Sequence, residues 1–450
     1  MNTYLSLWGE DISLNNSREE IKKIIDSINN PKNVKSDIPK QLASKKINIR
    51  DKLNIIKNEV YRILGSHIDD TIVITTKEQL KNYFDKAEEN GVMGLDTETD
   101  NSLDYLNCKI MGLCLYTPNM KQAYVPINHT DLSNNRLQNQ LTEQDIAEQL
   151  STLKDRKIKT YLTNAKFDYQ VIKCTCGVQI PIGWDTFIVA KLLDENELSA
   201  GLKQQYIDKI DKNQEKYSIS ELFGNIPYNY VEPSLFALYS ATDAYMSYVL
   251  GEWQREQLEL PENAKIYKLY QDIELPCIET TAELELNGVS LDLEYAKRLS
   301  IKYHQKLDNI EKSITEEMSR LESDIQKWKE TPKAQEKVGK KTKAEQLSNP
   351  INLDSPTQLA ILIYDILGAT SPDEDCPRGT GGDILEQIDL PICQLLVSRK
   401  EILKLTKDFI DTLPKNLNKK DNRIHAKFNQ YGAKTGRYSS SNPKISWGYC

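Results

Sequence analysis

Strand-like and helix-like segments alternate between residues 71 and 250, and this alternation is the strongest constraint on the fold. Residues 92–98 form an apolar run that predicts a buried strand, and residues 108–117 and 122–127 have the composition of its neighbours. Residues 76–79 (TKEQ) have the form of a capping box and predict a helix that ends near residue 89. Such alternation is typical of a layered domain, so the predicted fold class is α/β.

The rest of the chain has a different pattern. Residues 262–330 show almost continuous helical spacing with few turn signals, and residues 1–70 are polar with helical spacing. Residues 355–358 combine an N-cap serine, a proline at the first helical position and a glutamine at the third, which predicts another helix. A mostly α-helical region is therefore expected to follow the α/β domain.

Charge is distributed unevenly along the chain. The sequence has 58 Lys and Arg against 66 Asp and Glu, a formal net charge of −8, which by itself argues against a nucleic-acid partner. Basic residues nevertheless outnumber acidic ones in residues 399–444, and a second basic cluster spans residues 327–343. Each cluster has two open interpretations, a solvated helical face and a nucleic-acid contact.

Membrane and secretion signals are missing from the sequence. No run of about 18 apolar residues exists, and the N-terminus has no basic start followed by an apolar core. The eight cysteines have no framework spacing, which favours reduced thiols. We therefore expect no membrane partner and a cytoplasmic location.

Asp96 and Glu98 end the predicted strand of residues 92–98. Side chains alternate along a strand, so both carboxylates project from the same side of the sheet. Carboxylates at this spacing repel each other, and a divalent cation between them is the natural partner. An Asp-x-Glu pair alone is weak evidence, because such pairs often lie on ordinary surfaces.

Two further acids lie on predicted helices. Asp168 lies in the first turn of a helix that opens at Asn164, where the helix dipole alone could explain an aspartate. Tyr239 and Asp243 are four residues apart within a predicted helix, so they share one helical face. In isolation, such a pair is usually a packed tyrosine beside a solvated acid.

The four acids together are more specific than any single motif. Hard oxygen ligands suit Mg²⁺ or Mn²⁺, and four carboxylates can hold two such cations about 4 Å apart for in-line phosphodiester hydrolysis. The phenol of Tyr239 would orient the attacking water, because its ordinary pKa near 10 makes it a poor base at neutral pH. The predicted cofactors are two divalent cations, Mg²⁺ or Mn²⁺, and their predicted ligands are Asp96, Glu98, Asp168 and Asp243.

The chain resembles the DEDD exonuclease superfamily in its tyrosine subclass. The matching motifs are, in order, Asp96-Thr97-Glu98, Asn164-x-x-Phe167-Asp168 and Tyr239-x-x-x-Asp243, with similar intervening segments at Trp184-Asp185-Thr186 and Gly201-Leu202-Lys203. The resemblance implies a ribonuclease H-like 3′–5′ exonuclease domain. It also implies catalytic roles for the four acids and Tyr239, and a substrate contact for Asn164.

The second half resembles family A DNA polymerases, in which a helical thumb follows the exonuclease domain. The similar segments are Glu274-Leu275-Pro276, residues 283–289, residues 352–359, and Thr435-Gly436-Arg437-Tyr438-Ser439-Ser440 with its following Asn442-Pro443. The last segment resembles a signature that contacts template and primer backbone. The resemblance implies DNA contacts for Thr435, Gly436, Arg437, Ser439 and Ser440. A tight turn at Gly436 also suits a loop that grips phosphates.

The resemblance ends after Pro443. Residues 444–450 are similar to nothing in the family, and the palm and fingers motifs do not follow, so we expect no polymerisation by this chain alone. The expected parts are a helical N-terminal extension (1–70), a 3′–5′ exonuclease domain (71–255), a polymerase thumb-like region with the start of a palm (256–443), and a tail outside the family (444–450).

Three functions stay open at this point. The first is a proofreading 3′–5′ exodeoxyribonuclease of DNA replication, acting on single-stranded 3′ ends and primer–template DNA. The second is a DNA-binding and proofreading subunit of a split polymerase, completed by a separate palm and fingers chain. The third is a stand-alone exonuclease of the ribonuclease D kind, which would not explain the polymerase-like segments. A Lys-, Asn- and Ile-rich composition favours an AT-rich genome, and the unusual N-terminus suggests a phage in a bacterial host cytoplasm.

Overall fold

The computed structural model describes residues 48–443 except 101, 198, 215 and 434. The predicted pattern of residues 1–47 and the predicted tail lie outside the described residues. The described chain forms two compact units. Unit 1 comprises residues 48–286 and 429–439, and unit 2 comprises residues 287–428 and 440–443.

Unit 1 contains a mixed six-stranded sheet. Its strands are β1 (Thr71–Val73), β2 (Val92–Thr99), β3 (Ile110–Tyr116), β4 (Gln122–Pro126), β5 (Lys159–Leu162) and β6 (Trp184–Asp185). The order across the sheet is β1-β4-β3-β2-β5-β6. Strand β3 is antiparallel to both of its neighbours, whereas β1 with β4, β2 with β5, and β5 with β6 are parallel.

Helices surround this sheet, as predicted for an α/β domain. They are α1 (Ile49–Leu64), α2 (Lys77–Asn90), α3 (Glu143–Leu150), α4 (Ala165–Cys176), α5 (Thr186–Leu193), α6 (Leu202–Lys209), α7 (Ile219–Phe223), α8 (Pro233–Leu258), α9 (Ala264–Leu269) and α10 (Leu275–Asn287). A π-helical turn, Tyr270–Glu274, joins α9 to α10.

The capping box that predicts α2 is confirmed. The Gln79 amide donates to Thr76 Oγ1, and the Thr76 amide donates to Gln79 Oε1, both at 3.2 Å. Gly91 ends the helix with φ of 69°, a left-handed conformation that glycine adopts without steric cost. Strand β2 follows directly, and its apolar first half is buried in the core.

Helix α8 crosses the sheet at very short distance. A Cβ atom at Gly94 in β2 would overlap the main-chain oxygen of Ala244, and one at Gly251 would overlap the ring of Tyr161. The two glycines therefore let the backbone of α8 approach strands β2 and β5. This close approach brings the middle of α8 near the end of β2 that carries Asp96 and Glu98.

Unit 1 continues well past the last strand of its sheet. Tyr270, Ile278 and Ala282 are buried in the same core as the sheet residues. Glu285 of α10 is 1% exposed and accepts hydrogen bonds from Lys166 Nζ (2.6 Å) and Gln170 Nε2 (2.7 Å) of α4. The compact unit thus extends to residue 286, whereas the sequence pattern suggests a domain boundary near residue 255.

Unit 2 is mostly helical, which confirms that prediction. Its elements are β7 (Val289–Ser290), α11 (Leu293–Lys329), β8 (Lys337–Val338), β9 (Lys341–Thr342), α12 (Lys343–Gln346), α13 (Pro356–Ala360), α14 (Gly382–Leu385), α15 (Pro391–Leu405) and β10 (Arg423–Ile424). Two further short strands are β11 (Lys427–Asn429) and β12 (Ser439–Ser441). The core packs α11 against the segment that begins with α13 and against α15, through Ile314, Ile363 and Leu396.

The helical run predicted for residues 262–330 is interrupted. Helix α10 ends at Asn287, and Gly288 adopts φ of 60° before the short strand β7. A Cβ atom at Gly288 would lie 2.8 Å from the imidazole of His425, so a side chain is excluded there. An Asn-Gly step is a helix-ending signal that outweighs the surrounding helical spacing.

Across the described part of the chain, no helix combines the length and the apolar composition that a bilayer crossing requires.

Candidate functional site

Strands β2 and β3 place two of the predicted acids beside a thiol. Asp96 pairs with Cys114 across the antiparallel ladder, and Glu98 pairs with Gly112. Directly opposed residues project to the same face of a sheet. Accordingly, ligand atoms of Asp96, Glu98 and Cys114 all lie within 4.8 Å of one another. The prediction that the two carboxylates share one side of the sheet is confirmed.

Helix α4 begins in an unusual way that positions its first turn. Asn164 precedes it with φ of 59°, and its side chain makes no capping bond. The cap comes instead from Asp185, whose carboxylate accepts the Asn164 and Ala165 amides at 3.1 and 2.9 Å. The same carboxylate accepts the Phe187 and Ile188 amides at 2.9 and 3.3 Å, so it also caps α5.

Asp168 lies in that first turn and is bonded to strand β2. Its Oδ1 accepts the Thr97 amide at 2.9 Å and the Thr97 hydroxyl at 2.6 Å. Asp168 is only 3% exposed. An ordinary solvated first-turn aspartate would be exposed and would bond only its own helix. The structure therefore connects Asp168 to the strand that carries Asp96 and Glu98.

Asp243 and Tyr239 share one face of α8, as their spacing predicts, and a lysine from α6 contacts both. Lys203 Nζ lies 3.1 Å from Asp243 Oδ1 and 3.7 Å from the centre of the Tyr239 ring. The contact with Asp243 is an ion pair without good hydrogen-bond geometry, because Oδ1 has no properly aligned donor. Phe223 packs edge-on against the Tyr239 ring and holds it in place.

The four acids interact electrostatically as one cluster. Burial raises the pKa of Asp96 well above its usual range, and repulsion from Asp168, Glu98 and Asp243 adds to that effect. Burial, and then the charge of Asp243, raises the pKa of Glu98 to about 8. Burial raises the pKa of Asp168 to about 7, although the two Thr97 bonds oppose the shift. The pKa of Asp243 is raised by burial and opposed by Lys203.

This arrangement fits a divalent cation. Four acids that repel each other would keep protons near neutral pH unless positive charges lie among them. Lys203 supplies a single positive charge, which is fewer than the four carboxylates require. The buried Asp243 Oδ1 still lacks an aligned donor, which leaves a lone pair available to a ligand. Carboxylate oxygens are the donors that Mg²⁺ and Mn²⁺ prefer.

The predicted DNA contacts lie in two places. Asn164 is exposed at the start of α4, close in sequence to Asp168. Of the second set, Thr435, Gly436 and Arg437 belong to an exposed turn in which Gly436 has φ of 73°, so the predicted tight glycine turn is confirmed, and Ser439 and Ser440 follow in β12. That turn is attached to α10 by a 2.9 Å hydrogen bond between the hydroxyls of Tyr438 and Thr281. Contacts of Thr435, Arg437, Ser439 and Ser440 with DNA stay a prediction.

Several residues at the site have roles that the sequence did not reveal. Thr97, Asp185 and Lys203 lie within the segments that resemble the exonuclease superfamily. The resemblance therefore includes these three residues but gives none of them a role. Cys114 had no signal, because only the register of β3 against β2 places it beside Asp96.

Comparison with known families gives two matches. A model described as 3′–5′ exonuclease matches residues 71–257, and one described as DNA polymerase family A matches residues 304–446. Within the described residues, the first match falls in unit 1 and the second falls mostly in unit 2.

Two similar proteins are DNA polymerases. DNA polymerase I of Chloroflexus aurantiacus is 28% identical over 295 residues, covering 63% of this chain and 28% of the relative. DNA polymerase I of Borreliella burgdorferi is 26% identical over 377 residues, covering 83% of this chain and 37% of the relative. The chain therefore spans roughly a third of the length of these curated relatives.

A solved structure has the same fold at low sequence identity. It is the POL domain of Pol1 from M. smegmatis in complex with DNA primer-template and dNTP, which matches with a TM-score of 0.61 and 18% identity. The match covers 83% of this chain and 55% of that one. The two family matches lead to one assignment. The chain belongs to DNA polymerase family A, with a 3′–5′ exonuclease domain and part of a polymerase domain.

Proposed function

We propose that this chain is a proofreading 3′–5′ exodeoxyribonuclease that removes nucleoside monophosphates from DNA 3′ ends during replication. The observation that carries the proposal is the convergence of Asp96, Glu98, Asp168 and Asp243 from β2, α4 and α8 into one electrostatic cluster. Such a cluster lies within the region that matches the exonuclease model.

The acids are the groups that would hold two divalent cations, Mg²⁺ or Mn²⁺. When bound, these cations would neutralise charge on the scissile phosphate and favour ionisation of the attacking water. The chain's own contribution is to hold the acids before substrate arrives. Thr97 holds Asp168 against β2, and Lys203 holds Asp243.

Tyr239 is proposed to orient the attacking water. Burial, and then the negative charge of Asp243, raises the pKa of Tyr239, so the phenol keeps its proton at neutral pH. A phenol in this state donates a hydrogen bond to the water and cannot act as its base. The lysine above its ring restricts the ring further.

DNA is the proposed substrate because the polymerase family match accompanies the exonuclease match in one chain. Asn164, exposed beside the acid cluster, would contact the terminal nucleotide. The segment that carries Thr435, Gly436, Arg437, Ser439 and Ser440 would contact the backbone of a primer–template. The related M. smegmatis structure contains such a DNA.

Two alternatives differ in what they require. A split polymerase needs a separate palm and fingers chain, and that partner stays a hypothesis. A ribonuclease D-like enzyme would not explain a polymerase match over residues 304–446, so it is the weaker alternative. A cytoplasmic location and a phage source also stay predictions.

The test is a gel assay of the full chain on 3′-labelled and 5′-labelled single-stranded DNA with Mg²⁺ or Mn²⁺. We expect a ladder shortened from the 3′ end, abolished in Asp168→Ala and retained in Asp155→Ala, whose acid is exposed elsewhere in the domain. An RNA substrate and a primed template with dNTPs run in parallel. Degradation that persists in Asp168→Ala would refute the assignment of the site, and faster digestion of RNA would favour the ribonuclease D alternative.

A further inference from the structure

Cys114 is a potential metal ligand that the proposed exonuclease chemistry does not use. Its side chain is fully buried on β3, directly opposite Asp96 in the ladder. Its Sγ lies within 4.8 Å of ligand atoms of both Asp96 and Glu98. Among the described residues, these three form the one group of three or more acidic, cysteine or histidine side chains close enough to share an ion.

We propose that Cys114, Asp96 and Glu98 form a binding site for a thiophilic divalent cation such as Zn²⁺ or Cd²⁺. The proposal deepens the proposed function, because two of its ligands are the same carboxylates. Its new element is the preference of the site for soft metals, which carboxylates alone would not give. Thiolate ligands select soft cations, whereas Mg²⁺ prefers oxygen.

The ligand spacing suits such an ion after a small adjustment. Zn²⁺ binds thiolate sulfur at about 2.3 Å and carboxylate oxygen at about 2.0–2.2 Å in tetrahedral sites, which separates neighbouring ligand atoms by roughly 3.3–3.8 Å. The ligand atoms lie within 4.8 Å of one another, so side-chain movements of at most about 1 Å bring them to this spacing. Two carboxylates and one thiolate leave a fourth position for water.

Binding is coupled to loss of protons. The thiol of Cys114, and each of the two carboxyl groups that is protonated in the metal-free chain, releases its proton to the buffer as sulfur and oxygen form bonds to the cation. Burial disfavours the charged thiolate unless a cation is adjacent. Occupancy by Zn²⁺ or Cd²⁺ would therefore compete with the cations that the acids hold for hydrolysis.

The competing explanation is that Cys114 is a small core residue. It does pack with Tyr124, Ala241 and Ala244 in the apolar cluster beneath α8. Packing alone predicts no ligand exchange and no spectroscopic signal from this sulfur. A sulfur-specific readout separates the two explanations, and it does not depend on nuclease activity.

The experiment is a titration of the metal-free, reduced full chain with Cd²⁺, followed by the ultraviolet charge-transfer absorption of sulfur-bound cadmium. Cys114→Ser is compared with Cys174→Ser, which alters an exposed thiol. We expect the tight-binding part of the signal to disappear in Cys114→Ser and to persist in Cys174→Ser. An unchanged signal in Cys114→Ser, or no tight binding by the wild-type chain, would overturn the proposal.

A second variant guards against misfolding of Cys114→Ser. Asp96→Asn should weaken Cd²⁺ binding at least about tenfold while its thiol remains, because one of three ligands loses its charge. An unchanged Cd²⁺ affinity in Asp96→Asn would contradict the shared site. Because neither titration measures hydrolysis, a chain without exonuclease activity would refute the proposed function and still leave this test decisive.

Discussion

The ammonium group of Lys203 lies 3.7 Å from the centre of the Tyr239 ring. The same group forms an ion pair with Asp243, one turn further along α8. A single positive charge therefore contacts the proposed water-orienting phenol and one of the proposed metal ligands. This lysine opposes the raised pKa values of Asp96, Glu98 and Asp243.

Replacement of Lys203 by methionine should lower exonuclease activity by about 10- to 100-fold, the scale of losing one charged contact of about 1.5–3 kcal/mol. The pKa of each neighbouring acid would rise, so a higher pH is needed to ionise them. The acid limb of the pH–rate profile should therefore move to higher pH. Lys203→Arg should retain most activity, and Lys209→Met, at an exposed lysine of α6, should match wild type. A pH profile that stays in place would contradict an electrostatic role.

Replacement of Thr97 by valine should weaken the use of divalent cations. The variant keeps the side-chain shape but removes the hydroxyl that donates to Asp168 at 2.6 Å. That bond lowers the pKa of Asp168, so its loss raises the pKa further and leaves more of the acid protonated at neutral pH. We expect a several-fold higher Mn²⁺ requirement, measured as activity against Mn²⁺ concentration. Thr97→Ser should behave like wild type, and equal Mn²⁺ curves for the valine variant would refute the role.

Replacement of Glu285 by alanine should destabilise unit 1. The carboxylate is 1% exposed and accepts hydrogen bonds from Lys166 and Gln170, so its loss removes the acceptor that joins α10 to α4. Removing one partner of a buried ion pair typically costs about 3–5 kcal/mol. Thermal or urea unfolding would measure the change, with Glu256→Ala, an exposed acid on α8, as the control. A loss below about 1 kcal/mol would show that the bonds of Glu285 to α4 contribute little to the stability of the unit.

His129 predicts a specific pH dependence of stability. It is fully buried, its Nδ1 lies 2.9 Å from the Val231 oxygen and its Nε2 lies 2.8 Å from the Tyr124 hydroxyl. Burial lowers its pKa to about 4, although the bond to Val231 opposes the shift. The unfolded chain, with an ordinary pKa near 6.5, therefore binds the proton first as pH falls.

The contribution of His129 to the free energy of unfolding is fully present above pH 6.5, and it is lost as the pH falls towards 4. Between pH 7 and pH 5 the loss is about 2 kcal/mol. Other groups titrate in this range, so the measurement is a difference: urea unfolding of wild type and His129→Gln at both pH values. The wild type should lose about 2 kcal/mol more than the variant. Equal changes in both proteins would show that His129 does not carry the effect.

Much of unit 1 could be predicted from the sequence because its signals are local. A capping box and a glycine bound α2, and apolar runs mark β2 and β3. Each of the four acids lies in a short motif that alone is weak evidence. The site could be predicted because the motifs follow one another in the order of the exonucleases that the chain resembles.

The remaining features depend on contacts between distant segments. The imidazole of His425 leaves no room for a side chain at Gly288, and the extension of unit 1 to residue 286 depends on bonds between α10 and α4. The position of Lys203 over the Tyr239 ring depends on the packing of α6 against α8. Cys114 is placed by register alone, since a shift of one residue would turn its side chain to the other face.

The double cap at Asp185 has a consequence for how this region tolerates change. All four of its donors are main-chain amides, at residues 164, 165, 187 and 188, so the bonds are indifferent to the side chains at those positions. Mutational constraint is concentrated on one carboxylate. As far as these caps are concerned, the side chains at the four donor positions can change, provided that residue 164 still accepts its left-handed backbone, while a change at Asp185 disturbs the start of two helices at once.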